Sequence, residues 1–169
     1  AIFSLKKNKI NFNIFSNFKR LKLGIYEIMK DLALKVIKDG EGLSKLIVVN
    51  VSGAKTIFQA KKIAFSIANS PLVKTTIAGQ DANWGRVIMA IGKSQEKIDQ
   101  NKILIHFGKN LVCKNGSVYK KINHKTLNNY MKKNVIEINV NLKNGKQDYK
   151  VYGNDLTHNY VSINADYRS

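Results

Sequence analysis

The sequence predicts an α/β to α+β fold, a single domain of layered helices on a mixed sheet. Three observations predict it. Apolar residues recur at three- and four-residue spacing in two early stretches, around Leu21–Ile37 and Ala60–Ala68. Between them lies a β-branched run, Leu46–Val51, short enough for a buried strand. After Ile103 short β-rich runs dominate, separated by Asn-Gly pairs. Helices alternating with strands early, then strands clustering late, give layers around one core.

Each element has a local reason. Leu21, Ile25, Ile28, Met29, Leu32, Val36 and Ile37 form one apolar stripe, with Lys35 and Lys38 in the last turn and Gly40 placed to end the helix. Thr56, beyond Gly53, leads into a second amphipathic helix carrying Ala60, Ile63, Ala64, Ile67 and Ala68. Pro71 drives Ser70 out of helical geometry or opens a new helix in its first turn. Asn83–Ile91 is apolar except for Asn83 and Arg86, which predicts a short, mostly buried helix with Trp84 as a core anchor. Arg86 there calls for an acid, and Asp81 is the nearest. Ile103–Ile105 and Leu111–Cys113 read as strands around Gly108, with Asn115-Gly116 as a turn. His124–Lys133 reads as a small helix. Val135–Leu142, Asn144-Gly145 and Tyr149–Tyr152 together predict a hairpin. Asp155 or Thr157 caps a last helix from about His158 to Ile163. Residues 1–20 form a divergent or partly ordered approach, with Ile10, Phe12 and Ile14 alternating like a strand, and residues 21–169 form the domain.

Composition narrows the function classes. With 169 residues, 44% hydrophobic and 24% charged, the chain can bury a real core. Its net charge of +18 raises a nucleic-acid reading, but the positive charge is nearly all scattered Lys, and only Arg20, Arg86 and Arg168 offer bidentate guanidinium contacts. Compositional drift toward Lys, Asn and Ile explains the charge with less. Cys113 is the only cysteine, so no internal disulfide forms, and a cytoplasmic location is expected. Cys113 with His106, His124 and His158 has no metal-ligand spacing, and a buried Cys113 is expected. No apolar run approaches the roughly 20 residues that span a bilayer. No Walker A run, dinucleotide fingerprint or Gly-x-Ser-x-Gly elbow is present.

The punctuation is concentrated between Asp31 and Gly92. Asp39-Gly40-Glu41-Gly42 sets one carboxylate between two glycines at a helix end, a place where scaffolds carry function. Read structurally, Glu41 is a turn or cap residue. Four blocks in order carry a resemblance: DGEGLSK (39–45), IANSPLVKT (67–75), DANWGR (81–86) and INADYRS (163–169). They resemble the C-terminal part of ornithine acetyltransferase, also called glutamate N-acetyltransferase, over roughly Tyr26 to Ser169.

That resemblance implies transfer of an acetyl group from N-acetylornithine to glutamate in arginine biosynthesis, through an acetyl-threonine intermediate. It implies substrate contacts by Glu41, Asn164 and Ser169, the last replacing the usual threonine. A fixed carboxylate, an amide and a hydroxyl suit substrates that carry ammonium and carboxylate groups. The family threonine that opens the β chain after self-cleavage is missing, as are the upstream oxyanion groups and substrate-binding lysine. None of Thr56, Thr75, Thr76, Thr126 or Thr157 follows the self-cleavage motif. The chain begins at Ala1, unlike a mature family β chain, so it is expected to need an upstream α segment in an α2β2 assembly, to be inactive alone, and to expose apolar surface that a partner covers. No cofactor or metal is implied, although acetyl-CoA is a possible donor in bifunctional members. Gln80 and Ala82 stand where the family usually has Glu and Pro. A degenerate binding module is therefore the alternative reading, and a basic nucleic-acid binder a third.

Overall fold

The structure, a computed structural model, describes residues 14–166. The chain divides into two compact units, Ala1–Val36 and Ile37–Ser169. The first is represented by helix α1 (Ile14–Lys38), whose last two residues fall in the second unit. The strand reading of residues 10–14 is not upheld at Ile14, which opens this helix; Ile10 and Phe12 lie outside the described residues. α1 holds Leu21, Ile25, Ile28, Met29, Leu32 and Val36 exposed along its apolar stripe.

The second unit is built around β1 (Leu46–Ala54). It is followed by α2 (Ile57–Ala68), α3 (Pro71–Ala78), α4 (Trp84–Lys93), β2 (Leu104–Phe107), β3 (Asn110–Lys114) and β4 (Ser117–Val118). The unit closes with α5 (His124–Met131), β5 (Val135–Asn141), β6 (Gln147–Asn154) and α6 (His158–Ala165). The six strands form one mixed sheet in the order β4-β3-β2-β5-β1-β6, so the expected mixed α/β architecture is present.

β1 and β5 run parallel in the middle, pairing Ile47 with Ile136, Val49 with Ile138 and Val51 with Val140. These six side chains are fully or almost fully buried, each contributing on the order of 1.5–3 kcal/mol by leaving water. α2 lies across β1 and β6, with buried Ala60, Ala64 and Ala68 beside Ile63 and Ile67. Alternate residues face the other way. There Asn50 pairs with Asn139 and Ser52 with Asn141, and the Asn50 amide donates to Asn139 Oδ1 at 2.7 Å.

Short polar residues start every helix of this unit. Thr56, Ser70, Asn83, Asn123 and Thr157 each accept a hydrogen bond from a backbone N–H of the first turn. Pro71 takes the first helical position behind Ser70, so it starts α3. Asn115 and Gly116, with φ of 54° and 73°, form the expected turn between β3 and β4.

The expected hairpin of β5 with β6 is not formed. β1 lies between them, parallel to β5 and antiparallel to β6. The Asn144-Gly145 segment instead crosses the end of β1: Asn144 N–H donates to Gly53 O at 2.8 Å, and a Cβ on Gly145 would run into the Ala54 carbonyl. A bulge between Val51 and Ala54, with Gly53 at φ 68°, makes room for the crossing. Alternation and turn chemistry describe two strands and a reversal equally well whether or not a third strand is inserted, and the uninterrupted apolar run of β1 claims the central place.

Candidate functional site

The DGEG turn leaves α1 at Lys38 and enters β1 at Leu46. Gly42 is the residue that fixes it. Its φ is 66°, and a Cβ there would stand 2.5 Å from Tyr160 N and 2.7 Å from Tyr160 Cα. The turn therefore rests directly on the first turn of α6, where only glycine fits. Glu41, one residue earlier, is exposed.

Beyond the turn, residues 44–45 are fastened to the loop before α6. Asp155 is 3% exposed. Its carboxylate accepts from Ser44 N–H at 2.9 Å, from the Ser44 hydroxyl and from Lys45 N–H at 3.1 Å. Its own N–H donates to Lys45 O at 3.1 Å. Three donors surround one buried carboxylate, so the burial is compensated without an ion pair. Lys45 is buried as well and donates its ammonium to Lys133 O at 3.0 Å. Two residues on, the Thr157 hydroxyl donates to Gly42 O and accepts from Tyr160 N–H at 3.1 Å. Sequence reasoning assigned Asp155 and Thr157 a choice of helix cap; Thr157 is the cap and Asp155 the fastener of a segment more than a hundred residues away.

The same loop reaches a second motif block, which in turn holds a third. Leu156 N–H donates to Lys74 O at 3.3 Å, in the IANSPLVKT block. Arg86, from DANWGR, donates to Leu72 O at 3.0 Å and to the Thr75 hydroxyl at 3.2 Å in that block. The expected Arg86–Asp81 ion pair is absent, because Asp81 is exposed and accepts from the Asn83 amide at 3.1 Å while the guanidinium is turned onto α3. Trp84 is partly buried and packs on the core, as an anchor does. A cleft of about 350 Å³ lies between α3 and α6, lined by Thr75, Gly79, Thr157, His158 and Val161 among others.

Of the three residues assigned to substrate, Glu41 and Asn164 lie on elements that this contact joins. Asn164 is exposed one helical turn beyond Tyr160 and donates its amide to Tyr160 O at 2.9 Å. Ser169 lies outside the described residues. Cys113 is buried, which pushes its thiol above the ordinary range, and His106 is held below the usual imidazole range by burial. Among the described residues no helix is long and apolar enough to cross a membrane.

The four blocks, separate in sequence, are thus linked in a series of contacts: DGEGLSK and IANSPLVKT bond the loop at 155–157, DANWGR bonds IANSPLVKT, and the start of INADYRS lies on the helix that this loop caps. Comparison with known proteins agrees with what they resemble. A model of the ArgJ family matches residues 5–169. The chain belongs to the ArgJ family. The match reaches further upstream than the four blocks. The arginine biosynthesis bifunctional protein ArgJ of Brucella melitensis is 47% identical over 148 residues, 88% of this chain and 36% of that protein. The protein of that name from Bradyrhizobium diazoefficiens is 48% identical over 143 residues, 85% of this chain and 35% of its own length. The chain therefore spans little more than a third of these relatives. The crystal structure of the Bacillus halodurans ArgJ protein superposes with a TM-score of 0.81 at 38% identity, covering 96% of this chain and 75% of that one.

Proposed function

We propose that this chain is the C-terminal, substrate-binding portion of an acetyltransferase that moves the acetyl group of N-acetylornithine to glutamate. Glu41 takes the substrate ammonium, Asn164 its polar backbone groups, and Ser169 adds a hydroxyl. The observation that carries this reading is the seating of Gly42 on Tyr160, which ties the turn bearing Glu41 to the helix bearing Asn164. Both side chains are exposed; the Asn164 amide gives one hydrogen bond to Tyr160 O and keeps its oxygen and second N–H for a ligand.

The nucleophile comes from outside this chain. Four of its threonines already have structural duties: Thr56 and Thr157 cap α2 and α6, while the hydroxyls of Thr75 and Thr76 donate to carbonyls of α3. A threonine from an upstream segment would attack the acetyl carbonyl, release ornithine, and pass the acetyl group to the glutamate amine. That segment supplies the oxyanion donors, within a paired α and β chain assembly of the α2β2 type. The reading calls for no cofactor, with acetyl-CoA as a second acetyl donor to be tried, and it places the enzyme in the cytoplasm.

Mass mapping after incubation with N-acetylornithine tests the division of labour. The complete protein is expected to carry acetyl on a threonine outside these 169 residues. Acetyl on Thr56, Thr75, Thr76, Thr126 or Thr157 would overturn it.

A further inference from the structure

One hydroxyl does two jobs at the junction described above. The Thr157 proton goes to Gly42 O, in the turn that presents Glu41, while a lone pair of the same oxygen accepts Tyr160 N–H, in the first turn of the helix that presents Asn164. No other side chain among the described residues bonds both elements. Asp155 holds Ser44 and Lys45 from the same loop, but it reaches the strand side of the turn and not the helix. The two groups assigned to substrate lie 123 positions apart in sequence, 41 and 164; the β1–β6 pairing, the Asp155 bonds and the seat of Gly42 on Tyr160 bring their elements together, and Thr157 is the side chain that bonds the two directly.

From this geometry we propose that Thr157 is a positioning residue for amino-acid substrate: its hydroxyl sets the spacing between the Glu41 carboxylate and the Asn164 amide. The inference rests on the proposed substrate roles of Glu41 and Asn164. Two-point recognition of a small zwitterion depends on that spacing, since a ligand rigid at its α-carbon cannot follow a displaced partner. Valine at 157 keeps the branched shape and loses both hydrogen bonds. Serine keeps both bonds and loses only a methyl group.

The experiment is a kinetic cycle in the intact enzyme with N-acetylornithine, using Thr157→Val, Thr157→Ser, Glu41→Gln and the Glu41→Gln/Thr157→Val double variant, with melting temperatures alongside. Thr157→Val is expected to raise KM about tenfold with kcat changed far less, the size of one or two lost hydrogen bonds. Thr157→Ser is expected to restore KM to within about twofold. The double variant is expected to be little worse than Glu41→Gln alone, because Thr157 acts through the contact that Glu41 has already lost. A Thr157→Val enzyme that melts early but binds normally, or a double variant whose effects multiply, would overturn the positioning role. If Thr157→Val folds too poorly to assay, the Thr157→Ser enzyme decides. An unchanged KM is required, and a KM raised several-fold would count against the role. Should Glu41→Gln itself leave KM unchanged, the substrate reading fails first, and the result is distinct from a failure confined to Thr157.

Discussion

Two neighbouring regions of this chain are built in opposite ways. The junction of residues 42–45 with 155–157 is half-buried to buried except at Ser44, and its polar groups are bonded to one another: the Asp155 carboxylate, the Ser44 hydroxyl, the Thr157 hydroxyl and the Gly42 and Lys45 carbonyls all have partners. A few residues away, Glu41 and Asn164 stand in solvent, and the Glu41 carboxylate takes part in none of the described ion pairs. Buried polar groups that satisfy one another hold a backbone rigid. Exposed ones on that rigid support can spend their bonds on a ligand. Under the proposed substrate roles, the difference separates residues whose loss should unfold the site from those whose loss should empty it.

Breaking the rigid side has the largest expected effect. Gly42→Val puts a branched side chain at φ 66° and into the backbone of Tyr160, and is expected to cost about 3 kcal/mol or more, read as a lowered urea midpoint. Asp155→Ala leaves the buried Lys45 N–H and the part-buried Ser44 donors without an acceptor. A loss of about 2–3 kcal/mol is expected, smaller than for Gly42→Val because water can enter the space. On the exposed side, Asn164→Ala is expected to move stability by no more than about 0.5 kcal/mol while raising KM for N-acetylornithine several-fold. Equal loss of stability in Asn164→Ala and Asp155→Ala would erase the contrast.

The smallest expected effect is a control away from both regions. His106 sits in β2 beside Asn139 of β5, and burial holds its folded pKa below the unfolded value of about 6.5. The unfolded chain then binds the proton more readily, so the His106 contribution to stability is intact above about pH 6.5 and declines as the pH falls below it. Replacing His106 by Gln should flatten that part of the stability profile by well under the effect of Asp155→Ala, and leave the KM of the intact enzyme unchanged.

Much of this fold was legible because its signals are local. The caps at Thr56 and Thr157, the proline start of α3 and the Asn115-Gly116 turn each declare themselves within four residues. Long-range partnerships did not. Asn144-Gly145 has the chemistry of a hairpin, yet β1, some ninety residues earlier, is inserted between the two strands that it connects. Arg86 looked to Asp81 as the nearest acid, whereas its donors are taken by a carbonyl and a hydroxyl of α3. For the site, the DGEG glycines pointed to Glu41, and the closing motif to Asn164. The residues that bring the two together, Asp155 and Thr157, read only as alternative caps, because their partners lie 110 to 115 positions upstream.

The most direct test of the substrate site is the KM for N-acetylornithine of Glu41→Gln in the intact enzyme, measured with its melting temperature. Glu41 is exposed, so melting should be unchanged, while loss of a charge-assisted contact should raise KM by about ten- to a hundredfold. An unchanged KM in a normally folded enzyme would contradict the account, because the DGEG turn would then be only a way of joining a helix to a strand.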